Sequence, residues 1–202
     1  WATGANDSGQ LADGTFEMRE TPIRVTTNVV TASARGRRSM FIKNDGTVWL
    51  TGVGNVLSYR SSRLRPVKIT ANVAAVSAGR NHSVILKTDG SVWATGENQG
   101  GWFGNGSDWS SAESPIEIMN GISAVSAGNN HTLFLGRDRV LLAAGRNNVG
   151  QLGDGTTVDP RATAIEIAQD VISIAAGGRS FSAFVKEDGT LWTTGDNSDG
   201  QL

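Results

Sequence analysis

The sequence predicts an all-β fold: a β-propeller of four-stranded blades of roughly 50 residues, with about four blades present. Three observations predict it. Phrases recur in register along the whole chain, Asp-Gly pairs sit between short β-rich runs, and no segment of useful length carries helical periodicity.

The repeat has three columns. A Trp-x-Thr-Gly phrase begins at Trp1, Trp49, Trp93 and Trp192, with a degenerate copy at Leu142. A Pro-(Ile/Val)-x-(Ile/Val) phrase begins at Pro22, Pro66 and Pro115, with Ala164 as its fourth member. A Ser-Ala-Gly-like phrase begins at Ser33, Ser77, Ser126 and Ala175, always 11 residues after the second column. Counted from the tryptophan column, the repeats span approximately 1–48, 49–92, 93–141 and 142–191, with a partial copy at 192–202, in a single segment 1–202.

Each repeat opens on the Trp strand. A loop follows, reading GQLADGT from Gly9, GWFGNGS from Gly101 and GQLGDGT from Gly150, and trimmed after Gly52. Length change confined to one place marks a surface loop. The Pro run, opened by a residue without an N–H, fits an outer or edge strand. The Ser-Ala-Gly strand is made of small residues, which permit close backbone approach near a crowded axis. The next strand, HSVILK from His82, turns through Asp89-Gly90 into the following Trp strand. Asp-Gly suits a two-residue hairpin because both central residues need φ > 0. The same pair recurs at Asp45-Gly46 and Asp188-Gly189; at Asp138-Arg139 the glycine is lost, and that copy is expected to be less regular.

SAGRNHS from Ser77, SAGNNHT from Ser126, GQLGDGT from Gly150 and the Asp-Gly hairpins resemble the regulator-of-chromosome-condensation repeat family. The resemblance covers essentially the whole chain and implies architecture rather than function. Propellers of this family usually close with seven blades, so four repeats imply an open arc or part of a larger or oligomeric ring. The chain opens and stops in the same phase of the repeat, and a segment of a longer protein is expected. Open sheet edges would invite self-association. The regularity of the phrases is similar to that of bacterial, often exported, repeat arrays, which implies an extracellular or cell-surface setting.

Composition narrows the chemistry. Glycine, at 26 of 202 residues, favours many tight turns, and the absence of cysteine excludes disulfides and thiolate metal sites. No stretch approaches the length of a membrane span. No phosphate-loop, dinucleotide or nucleophile-elbow motif is present, so no cofactor, metal or catalytic residue is expected. The formal charge of −1 hides a basic stretch, residues 35–68, with a local balance of +7.

His82 and His131 share one repeat column with Arg38 and Phe181, which argues for a recurrent structural bond inside each blade rather than for catalysis. Trp49, Trp93 and Trp192 share another and are read as blade-packing residues. The informative residues are those that break their columns. One set is basic: Arg35, Arg37, Arg38, Arg60, Arg63 and Arg65, a candidate patch for an acidic partner. The other is aromatic: Trp102 in place of a glutamine, Trp109 without a counterpart, and Tyr59 in the trimmed loop. Phe103 takes a leucine position and is expected to be buried. The expected function is a non-catalytic scaffold that binds another protein through its loops, with nucleic acid a poor candidate. Carbohydrate binding through Trp102 and Trp109 is the alternative from the residues. By resemblance the alternatives are a guanine-nucleotide exchange factor, whose wedge insertion is not visible here, and an enzyme-inhibitor propeller.

Overall fold

The β-branched and aromatic runs become strands in the computed structural model, which describes residues 1–53, 62–178 and 180–202 and only the backbone of residues 62 and 63. No helix occurs among the described residues, so none is long and apolar enough to cross a membrane. Strands β1 (Ala2–Gly4) and β2 (Arg19–Ile23) form a leading pair. The first blade is β3 (Val29–Arg35), β4 (Arg38–Lys43), β5 (Val48–Val53) and β6 (Ser62–Thr70). The second is β7 (Val73–Ala78), β8 (His82–Lys87), β9 (Val92–Gly96) and β10 (Ala112–Met119). The third is β11 (Ile122–Ala127), β12 (His131–Gly136), β13 (Leu141–Gly145) and β14 (Arg161–Ala168). The fourth holds three strands, β15 (Val171–Ala176), β16 (Phe181–Lys186) and β17 (Leu191–Gly195).

All pairings within the blades are antiparallel between chain neighbours, and the sheets form an open array rather than a closed ring. Each of the three four-stranded sheets begins at the Ser-Ala-Gly strand and ends at the Pro strand. A blade therefore takes its strands from two adjacent sequence repeats as counted from tryptophan.

The second strand of each of the first three blades is buried on both faces, which explains its apolar run, whereas β16 of the fourth blade is only half-buried. On β8, Ile85 packs against Met40 and Leu50 of the first blade, while Val84 and Leu86 pack with Phe134 of the third. On β12 the pattern repeats: Phe134 faces back, and Leu133 and Leu135 face forward onto Phe184 of the fourth blade. Each blade boundary is thus a separate small core, and propeller stability is a sum over such boundaries.

At the opposite end from the variable loops, the Asp-Gly turns carry a repeated network. Asp45, Asp89 and Asp188 each accept from the hydroxyl and the N–H two residues on, and that hydroxyl accepts from the indole of Trp49, Trp93 or Trp192 at 2.8–3.0 Å. Lys43, Lys87 and Lys186 lie over the same three rings. The tryptophans therefore lock their own hairpins, and Trp93 also packs against the core between the first and second blades. In the third copy Arg139 occupies the glycine position at φ 66°, and Val140 and Leu142 replace the hydroxyl residue and the tryptophan, so only the bond from Val140 N–H to Asp138 remains, at 3.2 Å.

Candidate functional site

The register of the blades brings two sets of connections to one end of the array: the turns between the first and second strands, and the loops between the third and fourth. This end is the loop face. The recurrent polar residues just beneath it join neighbouring blades. Ser33, Ser77 and Ser126 each accept from the N–H of the alanine in the next inner strand, Ala78, Ala127 and Ala176, at 2.9–3.0 Å. His82 Nε2 meets Thr132 Oγ1 and His131 Nε2 meets Ser182 Oγ, each at 3.0 Å; Arg38 Nη1 donates to Ser83 Oγ at 3.2 Å. The expectation of a bond inside each blade is corrected: these side chains clip one blade to the next. The clip continues into the loops, because Thr132 Oγ1 donates to the Trp102 carbonyl and Ser182 Oγ to the Gln151 carbonyl, both at 2.7 Å.

Both histidines are buried and neutral. Burial, followed by the charges of Arg38, His131 and Arg35, pushes His82 down to about 3. Burial and Arg35 take His131 to about 4, against a raising backbone hydrogen bond at Phe181. In the fourth blade Phe181 and Ala175 replace the histidine and the serine, so its outer face lacks both clip side chains.

The loops hang on an asparagine that the column reading passed over. Asn147, fully buried, accepts from Leu152 N–H at 3.1 Å and donates to Asp154 and to the Thr156 carbonyl. Asn6 does the same in its loop, Asn98 accepts from Phe103 N–H and donates to the Ser107 carbonyl, and Asn197 accepts from Leu202 N–H. The signal was present, since an asparagine two residues after the Trp-x-Thr-Gly glycine recurs at 6, 98, 147 and 197.

The basic residues that the structure describes have different surroundings. Arg38 is 4% exposed and belongs to the clip row. Arg35, at a position that is glycine in the other blades, bonds the Ala127 carbonyl of the third blade at 3.0 Å. Arg37 is exposed opposite Asp7, and Arg65 is exposed on the outer strand β6 beside Gly14. The Arg63 side chain, Arg60 and Tyr59 lie outside the described residues.

The aromatic set divides. Phe103 is buried, as expected. Trp102, expected to be an exposed anchor, is 3% exposed and tilts against His82 with ring centroids 5.4 Å apart; the glutamine position it replaces is itself interior, as Gln151 shows at 1%. Trp109 is 74% exposed. It has a counterpart after all, Val158, because the loops 97–111 and 146–160 are equally long.

Between these two loops lies a groove of about 460 Å³, lined by Trp109, Arg80, Glu97, Arg146, Asp159 and Asn130 among others. Three of its four charged groups are held in place: Asn81 donates to Glu97 at 3.0 Å, Arg146 to Asp159 at 2.9 Å, and Asp159 also accepts from Asn147 N–H at 2.8 Å. The Trp102 indole N–H, buried against this groove, has no hydrogen-bond partner among the described residues. A second groove, about 550 Å³, separates the leading pair from the first blade and is lined by Trp1, Leu11, Val29, Met40 and Phe41. No group of three or more His, Cys, Asp or Glu that could hold a metal is found among the described residues.

Comparison with known families now bears on this architecture. Two models of the regulator of chromosome condensation (RCC1) repeat match, one at residues 73–101, 122–151 and 171–201 and the other at 89–135, together more than half of the chain. The chain belongs to the RCC1 repeat family. The RCC1 repeats match solved propellers over nearly their full length. Human WBSCR16 aligns at a TM-score of 0.82 and 19% identity over 96% of this chain and 56% of that one. Yeast RCC1 (Prp20), in its complex with Kap60, aligns at 0.77 and 21% over 90% and 48%. Prp20p from Saccharomyces cerevisiae, studied for binding to Gsp1p and histones, aligns at 0.71 and 22% over 84% and 44%. The chain thus spans about half the length of these solved relatives, and at such identities the likeness is one of fold. No curated protein matches the sequence.

Proposed function

We propose that these RCC1 repeats form a non-catalytic scaffold that binds another protein through the loop face. One observation carries the reading: the polar residues that recur in most repeats are used up in clips and loop anchors, while exposed residues outside that pattern, including Arg37, Trp109 and Arg146, share one end of the array. Exposed arginine and tryptophan are common interface anchors. The two histidines are not candidates for catalysis, being buried and bonded to the next blade's hydroxyl. Solved relatives of the fold that bind other proteins support a protein partner. The open end beside Trp1, Val29 and Val30 supports a second route, self-association through sheet edges. The similarity to exported bacterial arrays supports an extracellular or cell-surface setting, within a longer repeat protein.

Photo-crosslinkers at Arg37 and Gln99 on the loop face, and at Asn44 and Thr88 on the hairpin face, test the proposal in extracts of the source cells. Adducts confined to the loop-face positions are expected. Adducts confined to the hairpin face contradict it.

A further inference from the structure

We propose that the groove between the second and third blades binds a neutral saccharide, with Trp109 as its stacking platform. The inference is independent of the protein partner proposed above.

Charge comes first. The charged side chains lining the groove are two arginines, Arg80 and Arg146, and two carboxylates, Glu97 and Asp159, so the formal sum is zero. A phosphate, a nucleic acid or an acidic peptide would need an excess of positive charge, and this groove has none.

Polar geometry comes second. Glu97 is held by Asn81, and Asp159 by Arg146 and the Asn147 N–H. Planar carboxylate, guanidinium and amide groups fixed by one partner keep further lone pairs and N–H donors for a ligand. Hydroxyl groups, which donate and accept at once, match such a mixed set, and sites built to bond hydroxyls discriminate strongly against ligands that lack them.

The third element is aromatic. Trp109 is largely exposed, yet the segment that presents it is braced: Gly100 N–H donates to the Asp108 carbonyl at 2.8 Å, and Ser107 Oγ donates to Ser110 Oγ at 2.8 Å. An indole face carries negative potential and attracts the weakly positive C–H groups of a sugar ring. A volume of about 460 Å³ falls in the range of small-ligand clefts, about 300–1,000 Å³. The indole N–H of Trp102, which lines the groove, is buried and has no hydrogen-bond partner among the described residues, which leaves it able to donate to a ligand.

The test is titration of cellohexaose, maltohexaose, laminarihexaose and chitohexaose, with heparin and polyglutamate as charged arms, followed by calorimetry and tryptophan emission. At least one neutral hexasaccharide is expected to bind and to shift the emission. Trp109→Ala is expected to weaken that binding at least about tenfold with an unchanged melting temperature, and Glu97→Gln to weaken it as well. Trp1→Ala, removing an equally exposed indole far from the groove, should leave the affinity unchanged. No binding of any neutral sugar at about 10 mM overturns the proposal, as does binding of the polyanions alone or an affinity indifferent to Trp109→Ala.

Discussion

The loops 97–111 and 146–160 are equal in length, leave equivalent strands and hang on equivalent buried asparagines, yet they are built for different ends. In the later loop Gln151 bonds its own turn and Asp154 pairs with Arg161 at 2.7 Å. In the earlier loop Trp102 stands for the glutamine, Asn105 for the aspartate and Ala112 for the arginine, so both halves of the ion pair are lost together. What survives in both is the anchor and the clip. What changes is the surface, where Trp109 replaces Val158. The difference teaches that this repeat separates the residues that hold blades together from those free to vary.

The largest expected effect tests how firmly each loop is seated. A Cβ on Gly101 would collide with the backbone of Ala162 in the next blade, whereas one on the equivalent Gly150 meets nothing nearer than 3.9 Å, because the fourth blade has no outer strand there. Both glycines have positive φ. Gly101→Ala should therefore cost about 4 kcal/mol or more in a denaturant melt, and Gly150→Ala only the conformational penalty of about 1–2 kcal/mol. Equal costs would break the account of the seating.

Next come the shared anchors. Asn98→Ala and Asn147→Ala each leave buried backbone groups without partners and should each cost about 2–3 kcal/mol. A loss confined to one would mean the loops are not held alike.

The clip relay predicts a pH dependence common to both loops. His82 and His131 titrate near 6.5 when unfolded but only at about 3 and about 4 when folded, so the unfolded chain binds more protons between these values. Stability should be complete above about pH 6.5 and fall below it, on the order of 1 kcal/mol per pH unit for each histidine, until the folded values are reached. His82→Gln and His131→Gln should each flatten the slope.

The smallest effect belongs to the ion pair. Burial raises the Asp154 carboxyl, but hydrogen bonds from Thr156, Arg161 and Asn147 outweigh it and bring it to about 2. A depressed carboxylate stabilises above its unfolded value near 4, and that contribution is lost as pH falls toward 2. Asp154→Asn should therefore lower the melting temperature slightly at neutral pH and not at pH 2, while Asn105→Asp, with no arginine opposite, should gain little.

Strand order, the places of the hairpins and the burial of Phe103 were legible because periodicity and turn chemistry are local. The turn type differs from the expected one: only Gly46, Gly90 and Gly189 take positive φ, not the aspartates, and each donates its N–H to the lysine carbonyl three residues earlier. The direction of the histidine bond was not, since a column shows that a residue recurs but not which neighbour it faces. Arg38 misled for a related reason: its charge suggested surface, while its column placed it inside. The burial of Trp102 was not legible from its departure from the column, because the glutamine it replaces is itself inside, as Gln151 shows. In this repeat, column membership is a better guide to burial than residue type.

The central claim is that recurrent residues hold the blades and departures from the columns do the binding. Because the two loops are equal in length, residues 97–111 can be replaced by the sequence of 146–160, with Ala112→Arg to restore the ion pair. Melting temperature and hexasaccharide titration of that variant test the claim most directly. The predicted result is a melting temperature equal to or above that of the original chain with sugar binding abolished. Retained binding, or a variant that no longer folds, would contradict it.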